Sequence, residues 1–129
     1  MSVDVYEVKG VLIIHPELSR VTALGGAEEF RTVVNKALKD GYLAVAVDLA
    51  GVEYADSAMI GTLVDAFKQL NRENGTICLF NVSQELREFF RQTVLDRFIQ
   101  IFPDEESVLL ALEDRPKRKR RKGLRRFFR

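Results

Sequence analysis

Tyr42-Leu43-Ala44-Val45-Ala46-Val47-Asp48-Leu49, followed at once by Ala50-Gly51-Val52-Glu53-Tyr54-Ala55-Asp56-Ser57-Ala58-Met59-Ile60-Gly61, is the stretch from which the rest of this 129-residue chain can be read. Its first half is apolar on consecutive positions and broken only by Asp48, which predicts a central strand buried on both faces. A strand covered on both sides needs helices packed against the sheet. The second half supplies the first of them. Ile60, Leu63, Val64, Phe67 and Leu70 recur at helical spacing, Asp56 or Ser57 is placed to cap the first turn, and Asn74 with Gly75 ends the helix.

The flanking segments extend this strand-to-helix pattern in both directions. Upstream, Val3, Val5 and Val8 and then Val11-Leu12-Ile13-Ile14 form two β-branched runs separated by Lys9-Gly10, the spacing of a tight antiparallel hairpin. Pro16, Gly25 and Gly26 mark a loop. Phe30, Val33, Val34, Ala37 and Leu38 then define one face of a helix that Gly41 stops. Downstream, Thr76 to Phe80 reads as a buried strand, and Ser83 or Gln84 opens a helix with the stripe Leu86, Phe89, Phe90, Val94. Phe98 to Phe102 makes a last strand, and Pro103-Asp104 starts a helix bearing Val108, Leu109 and Leu112. The order is β-β-α-β-α-β-α-β-α. Alternation of this kind predicts an α/β fold with a mixed, mostly parallel sheet flanked by helices and joined by right-handed crossovers.

Composition narrows the chemistry. Hydrophobic residues are 47% and aromatic residues 9% of the chain, as in one globular domain. The longest apolar run, Tyr42 to Val47, falls far short of the roughly 20 residues of a membrane-spanning helix, and Met1-Ser2-Val3-Asp4 lacks the regions of a signal peptide, so a cytoplasmic protein is expected. One cysteine, Cys78, and one histidine, His15, exclude an internal disulfide and argue against a multi-ligand zinc site. The net charge of +1 conceals a segregation. Residues 1–114 hold 10 Lys and Arg against 19 Asp and Glu, a net −9, whereas residues 115–129 hold ten cations and no acid. An acidic domain over 1–114 carries a basic tail over 115–129.

Candidate functional residues gather at the carboxyl end of the central strand, where open α/β sheets usually carry function. Ser57, at a helix start, meets unpaired N–H groups and the positive end of the helix dipole, so a phosphate there could be accommodated; plain capping is the alternative. A phosphate would add about −1.5 to −2 charges beside Asp56 and repel an acidic partner surface. An esterase is not supported, since the G-x-S-x-G elbow is missing and His15 lies in another loop. Asp48, Glu53 and Asp56 come without a glycine-rich phosphate loop or catalytic lysine and read as solvated loop charges. Cys78 reads as an inert buried thiol. No catalytic set assembles, and no cofactor or metal is implied.

The segment Val47-Asp48-Leu49-Ala50-Gly51-Val52, with Asp56-Ser57-Ala58-Met59-Ile60-Gly61 after it, resembles the signature of the STAS domain, found in sulphate transporters and anti-sigma-factor antagonists, in which a strand ends in D-L-S-G-V and a short loop leads to D-S-S-G-L-G. Gly75 to Arg87 and Leu95 to Phe102 are similar to later elements of the same family, so that about residues 3 to 113 are covered. In the antagonist branch, the serine after the motif aspartate is phosphorylated by an anti-sigma factor that is itself a serine kinase, and a PP2C-type phosphatase reverses it. The resemblance implies Ser57 as phosphoacceptor and favours phosphorylation over capping alone. It implies a partner surface of Asp56, Ser57, Ala58, Met59, Thr62, Glu17, Ser19 and Ser83. Ala58 and Met59 replace the family's second serine and glycine, giving a bulkier, more apolar loop tip; Ser19 stands where an aspartate is common. The expected function is a non-enzymatic switch that binds an anti-sigma factor while Ser57 is unphosphorylated, with a constitutive adaptor in a membrane-associated or transport complex as the alternative.

The basic tail holds Arg115, Lys117, Arg118, Lys119, Arg120, Arg121, Lys122, Arg125, Arg126 and Arg129, with too little apolar content to fold by itself. A solvated extension is one reading, and a segment folded back on the acidic domain is another. Leu124, Phe127 and Phe128 at i, i+3, i+4 among cations suit an anionic membrane surface at the inner face of the membrane. Nucleic acid is the competing polyanion and ranks lower because the domain itself is acidic.

Overall fold

The computed structural model describes residues 2–93 and 95–119. Its main sheet has five strands, in the spatial order Val3–Val8 (β1), Val11–Pro16 (β2), Ala44–Asp48 (β4), Thr76–Phe80 (β6) and Gln100–Phe102 (β7). Val3–Val8 (β1) and Val11–Pro16 (β2) form the expected antiparallel hairpin. Its two-residue turn uses left-handed backbone at both positions, φ 52° at Lys9 and 84° at Gly10, the geometry that matches the twist of paired strands. Ala44–Asp48 (β4), Thr76–Phe80 (β6) and Gln100–Phe102 (β7) add in parallel. The sheet is therefore mixed and mostly parallel, as the alternation of elements predicts.

All five residues of β4 are buried, because both faces of the sheet are covered. On one face Leu12, Ile14, Val45, Val47, Ile77 and Leu79 meet three helices, Ala27–Lys39 (α1), Ser57–Arg72 (α2) and Gln84–Gln92 (α3). The other face presents Val11, Ile13, Ala44, Ala46, Cys78 and Phe80 to Glu105–Ala111 (α4), which contributes Val108, with Leu112 just beyond it. Period-2 alternation along each strand divides its residues between the two cores.

Several expectations are corrected. The central strand is shorter than Tyr42 to Leu49, and the last begins at Gln100 after a 3-10 turn at Leu95–Arg97. Two further strands, Arg20–Val21 (β3) and Tyr54–Ala55 (β5), pair in parallel as a separate small sheet. His15 is on β2 and not in a loop. In α2 the buried line is Met59, Thr62, Leu63, Ala66 and Leu70, with Ile60, Val64 and Phe67 at its margins. Val94, placed on the third helical stripe, lies outside the described residues.

The expected boundary after Asp114 is not a boundary of packing. Leu43 N–H donates to the Lys117 carbonyl at 2.8 Å and Lys119 N–H to the Gly41 carbonyl at 2.8 Å, so residues 117–119 run antiparallel to 41–43. The Arg118 guanidinium stacks 4.3 Å over the Tyr42 ring, and Lys119 pairs with Glu73. A cation on an aromatic face and an ion pair to the acidic domain are why this part of the basic segment docks. Arg120 to Arg129 lie outside the described residues.

Candidate functional site

The carboxyl ends of β2, β4 and β6 share one end of the sheet, and the chain leaves β4 there through Leu49 to Gly51. Asp48, expected as a solvated loop charge, is instead only 8% exposed. Its Oδ1 accepts from Ala50 N–H and from Asn81 Nδ2, both at 3.0 Å, tying the loop after β4 to the loop after β6. A carboxylate with two donors tolerates burial that an unpaired one would not. His15 Nε2, 3.2 Å from the Ala50 carbonyl, holds the same loop from β2.

From there the small sheet fixes the approach to Ser57. The Ser19 carbonyl accepts from Glu53 and Tyr54 N–H at 2.8 and 3.1 Å, and the Arg20 guanidinium lies 4.5 Å over the Tyr54 ring. Parallel pairing of β3 with β5 thus brings the loop containing Glu17 and Ser19 beside the loop that ends at Asp56.

Asp56 is the N-cap of α2, and its carboxylate works in two directions. Oδ1 accepts from Ala58 N–H at 3.0 Å, closing the first turn of the helix, and Oδ2 accepts from Ala23 N–H at 2.9 Å. The second bond draws in the tight turn Thr22–Gly25, which is closed by reciprocal bonds between Thr22 and Gly25. Capping therefore belongs to Asp56, and Ser57, the first helical residue, is left exposed. Leu24, fully exposed at 101%, is carried by that turn on the same side.

The expected partner residues divide by burial. Ser57, Glu17 and Ser19 are exposed, Asp56 and Ala58 half-buried. Ser83 is half-buried at the start of α3, where its hydroxyl accepts from Leu86 N–H at 3.1 Å. Met59 and Thr62 do not belong to the outer surface. Met59 is 0% exposed within the core and Thr62 is 6% exposed, its hydroxyl donating to the Ala58 carbonyl at 3.4 Å. The methionine points inward because position 59 falls on the buried line of α2, so the apolar tip expected there is absent. A shallow groove remains beside Ser57, lined by Ala23, Ala27, Glu28, Arg31, Ala58 and Thr62. Sequence reasoning missed Ala23, Leu24 and Arg31. A Thr-x-x-Gly turn next to an alpha-helical start was the available signal for the first two.

This end of the molecule presents the exposed Ser57 beside the engaged carboxylate of Asp56 and a shallow groove. A phosphate on Ser57 would meet the positive end of the 16-residue α2, while Asp56 beside it already occupies two backbone donors.

The STAS domain model matches residues 2–108, and the chain belongs to the STAS domain family. The anti-sigma-B factor antagonist of Listeria monocytogenes is 36% identical over 64 residues, 50% of this chain and 55% of the relative, so the chain matches about half the length of that relative. An anti-sigma factor antagonist from Mycobacterium paratuberculosis superposes with a TM-score of 0.76 at 21% identity, covering 87% of this chain and 93% of the other. The Bacillus cell fate determinant SpoIIAA in its phosphorylated form does so at 0.65 and 15%, covering 84% and 98%. At these identities the two structures speak for the fold.

Proposed function

We propose that this chain is a phosphorylation-controlled protein-binding switch of the anti-sigma-factor antagonist kind, a binding module and not an enzyme. Unphosphorylated, it binds an anti-sigma factor with serine kinase activity through Ser57, Ala58 and the exposed residues Glu17, Ser19 and Leu24; phosphate on Ser57 weakens that contact, and a PP2C-type phosphatase restores it. The observation that carries the reading is an exposed Ser57 immediately after a capping Asp56 whose carboxylate is fully engaged, so the hydroxyl is accessible on a platform that modification need not unfold. The similarity to an anti-sigma-B factor antagonist supports it, as does the phosphorylated state of a protein with this fold. The expected setting is the cytoplasm; no helix among the described residues is long and apolar enough to cross a membrane.

The test is incubation of the purified protein with ATP and lysate of its source organism, followed by peptide mass spectrometry and by titration of a serine-kinase anti-sigma factor against wild type and Ser57→Asp. Phosphate on Ser57 and at least tenfold weaker binding of Ser57→Asp are expected. Equal binding of both forms would overturn the switch, and persistent absence of phosphate would leave the constitutive adaptor.

A further inference from the structure

We propose that Asn74 is a site of spontaneous side-chain deamidation, to aspartate and isoaspartate, that its rate is set by opening of the last turn of α2, and that the isoaspartate product unseats residues 117–119. Neither step involves Ser57.

Asn74-Gly75 is the one Asn-Gly pair in the chain. The chemistry needs these two residues and water. The Gly75 backbone nitrogen, once deprotonated, attacks Cγ of Asn74; the new N–C bond closes a five-membered imide, the Cγ–Nδ2 bond breaks, and ammonia leaves. Water then adds to one of the two imide carbonyls. Opening between the nitrogen and Cγ restores the ordinary main chain, with aspartate at 74. Opening at the other carbonyl leaves the main chain running through the former side chain, as isoaspartate. The net change is one water taken up and one ammonia lost. With glycine as the following residue, no Cβ crowds the attacking nitrogen.

The fold holds that nitrogen back. Asn74 is left-handed at φ 62°, a conformation asparagine tolerates, and it ends α2. Its N–H donates to the Asn71 carbonyl at 3.4 Å and the Gly75 N–H to the Leu70 carbonyl at 2.7 Å, the paired bonds of a Schellman turn. The nucleophile is therefore engaged while Asn74 itself is exposed to water. Helix ends open at lower free energy than the whole domain, so the reaction runs through that local opening. Asn81 is the internal control. It is also left-handed, at φ 57°, but its Nδ2 donates to Asp48 and the β-branched Val82 follows it.

Isoaspartate adds one carbon to the main chain at a junction without slack. A Cβ on Gly75 would stand 2.8 Å from the Leu43 carbonyl and from the Leu70 side chain, and Thr76 N–H donates to that same carbonyl at 2.7 Å. Leu43 N–H in turn donates to the Lys117 carbonyl, and Glu73, next to Asn74, pairs with Lys119. Two of the ties that seat residues 117–119 thus belong to residues that the extra carbon displaces. Aspartate at 74 leaves the main chain, and these ties, in place.

The test incubates the full chain at mildly alkaline pH, folded and in urea, and locates the products by peptide mass spectrometry with electron-transfer fragmentation, which separates isoaspartate from aspartate. Conversion at Asn74 ahead of every other asparagine is expected in both states, at least tenfold slower in the folded one. Asn74→Gly, which keeps the left-handed turn, abolishes it. Limited tryptic digestion of the aged, folded sample then reads the coupling. The ratio of isoaspartate to aspartate is at least threefold higher in domain cut after Lys117 or Arg118 than in uncut domain, and Asn74→Asp is cut at the wild-type rate. Absence of conversion at Asn74 in urea overturns the site. Equal rates in both states, or a folded rate suppressed as far as global unfolding requires, overturns control by the last turn. An unchanged ratio in the cut domain, or rapid cutting of Asn74→Asp, overturns the coupling to residues 117–119.

Discussion

Asp56 shows how much one side chain can organise. Its two oxygens join the start of α2 to the turn before α1, so Asp56→Ala removes a helix cap and an inter-loop tie together. A loss of about 1–2 kcal/mol in unfolding free energy is expected from the cap. Asp56→Asn separates the two roles. The amide oxygen can still cap Ala58, whereas its NH2 group faces the Ala23 N–H, donor against donor, so stability falls by less while the Ala23–Leu24 turn loosens. Urea unfolding, with amide exchange at Ala23, distinguishes these outcomes; equal exchange in Asn and wild type would show that the tie is unimportant. The Asp-Ser pair was legible because Asp and Ser favour helix starts. Met59 and Thr62 were misplaced because they were put on the partner surface by their position in the family motif, which does not register that the buried line of α2 runs through both. Asp48 was misread for a different reason: its partner Asn81 is 33 positions away, and sequence spacing carries no trace of that bond.

At the scale of elements, the long pieces were legible and the short ones were not. Helices of 13 and 16 residues and buried five-residue strands write their period into the sequence. Two-residue strands have no period, and β3 with β5 exists only because the tertiary fold brings two loops alongside each other. Glycines offer a direct test of how elements meet. Gly75 joins α2 to β6, where a Cβ would stand 2.8 Å from both the Leu43 carbonyl and a Leu70 methyl; Gly75→Ala should cost about 1–3 kcal/mol. Gly61, exposed within α2 with nothing within 4 Å of an added Cβ, should respond in the opposite direction, Gly61→Ala stabilising by about 0.5–1 kcal/mol. Thermal melts of the two variants check the pair, and destabilisation by both would contradict the packing described.

The whole molecule combines an alkaline limit with a lengthwise asymmetry of charge. Burial pushes the Cys78 thiol up to about 12, and burial together with the hydrogen bond to Glu105 raises Tyr6 to about 12. Both stay protonated in the native state, while the unfolded chain loses these protons from roughly pH 8.5 and 10 upward. Stability is thus complete below about pH 8.5 and falls as pH rises towards 12, at about 1.4 kcal/mol per pH unit for the buried thiol. Urea midpoints at pH 8, 9.5 and 10.5 should decline, and Cys78→Ala should flatten the first interval; an unchanged slope would remove the thiol from the explanation. The charge asymmetry was legible as composition, but its geometry was not. That residues 117–119 dock between Tyr42 and Glu73 depends on a backbone edge exposed only once α1 has ended and β4 has begun.

That docking also governs how the chain is exposed to proteases. A trypsin-like enzyme needs several residues in extended form, with their backbone groups available to its own cleft. The peptide bonds after Lys117 and Arg118 have theirs committed to Gly41 and Leu43, and the bond after Arg115 is shielded by the proline that follows it. Cleavage among these basic residues must await detachment of the segment from the domain, so in limited digestion the domain should persist as a fragment that still includes Lys117. Turnover of the domain would then depend on a few contacts at the end of the sheet far from Ser57.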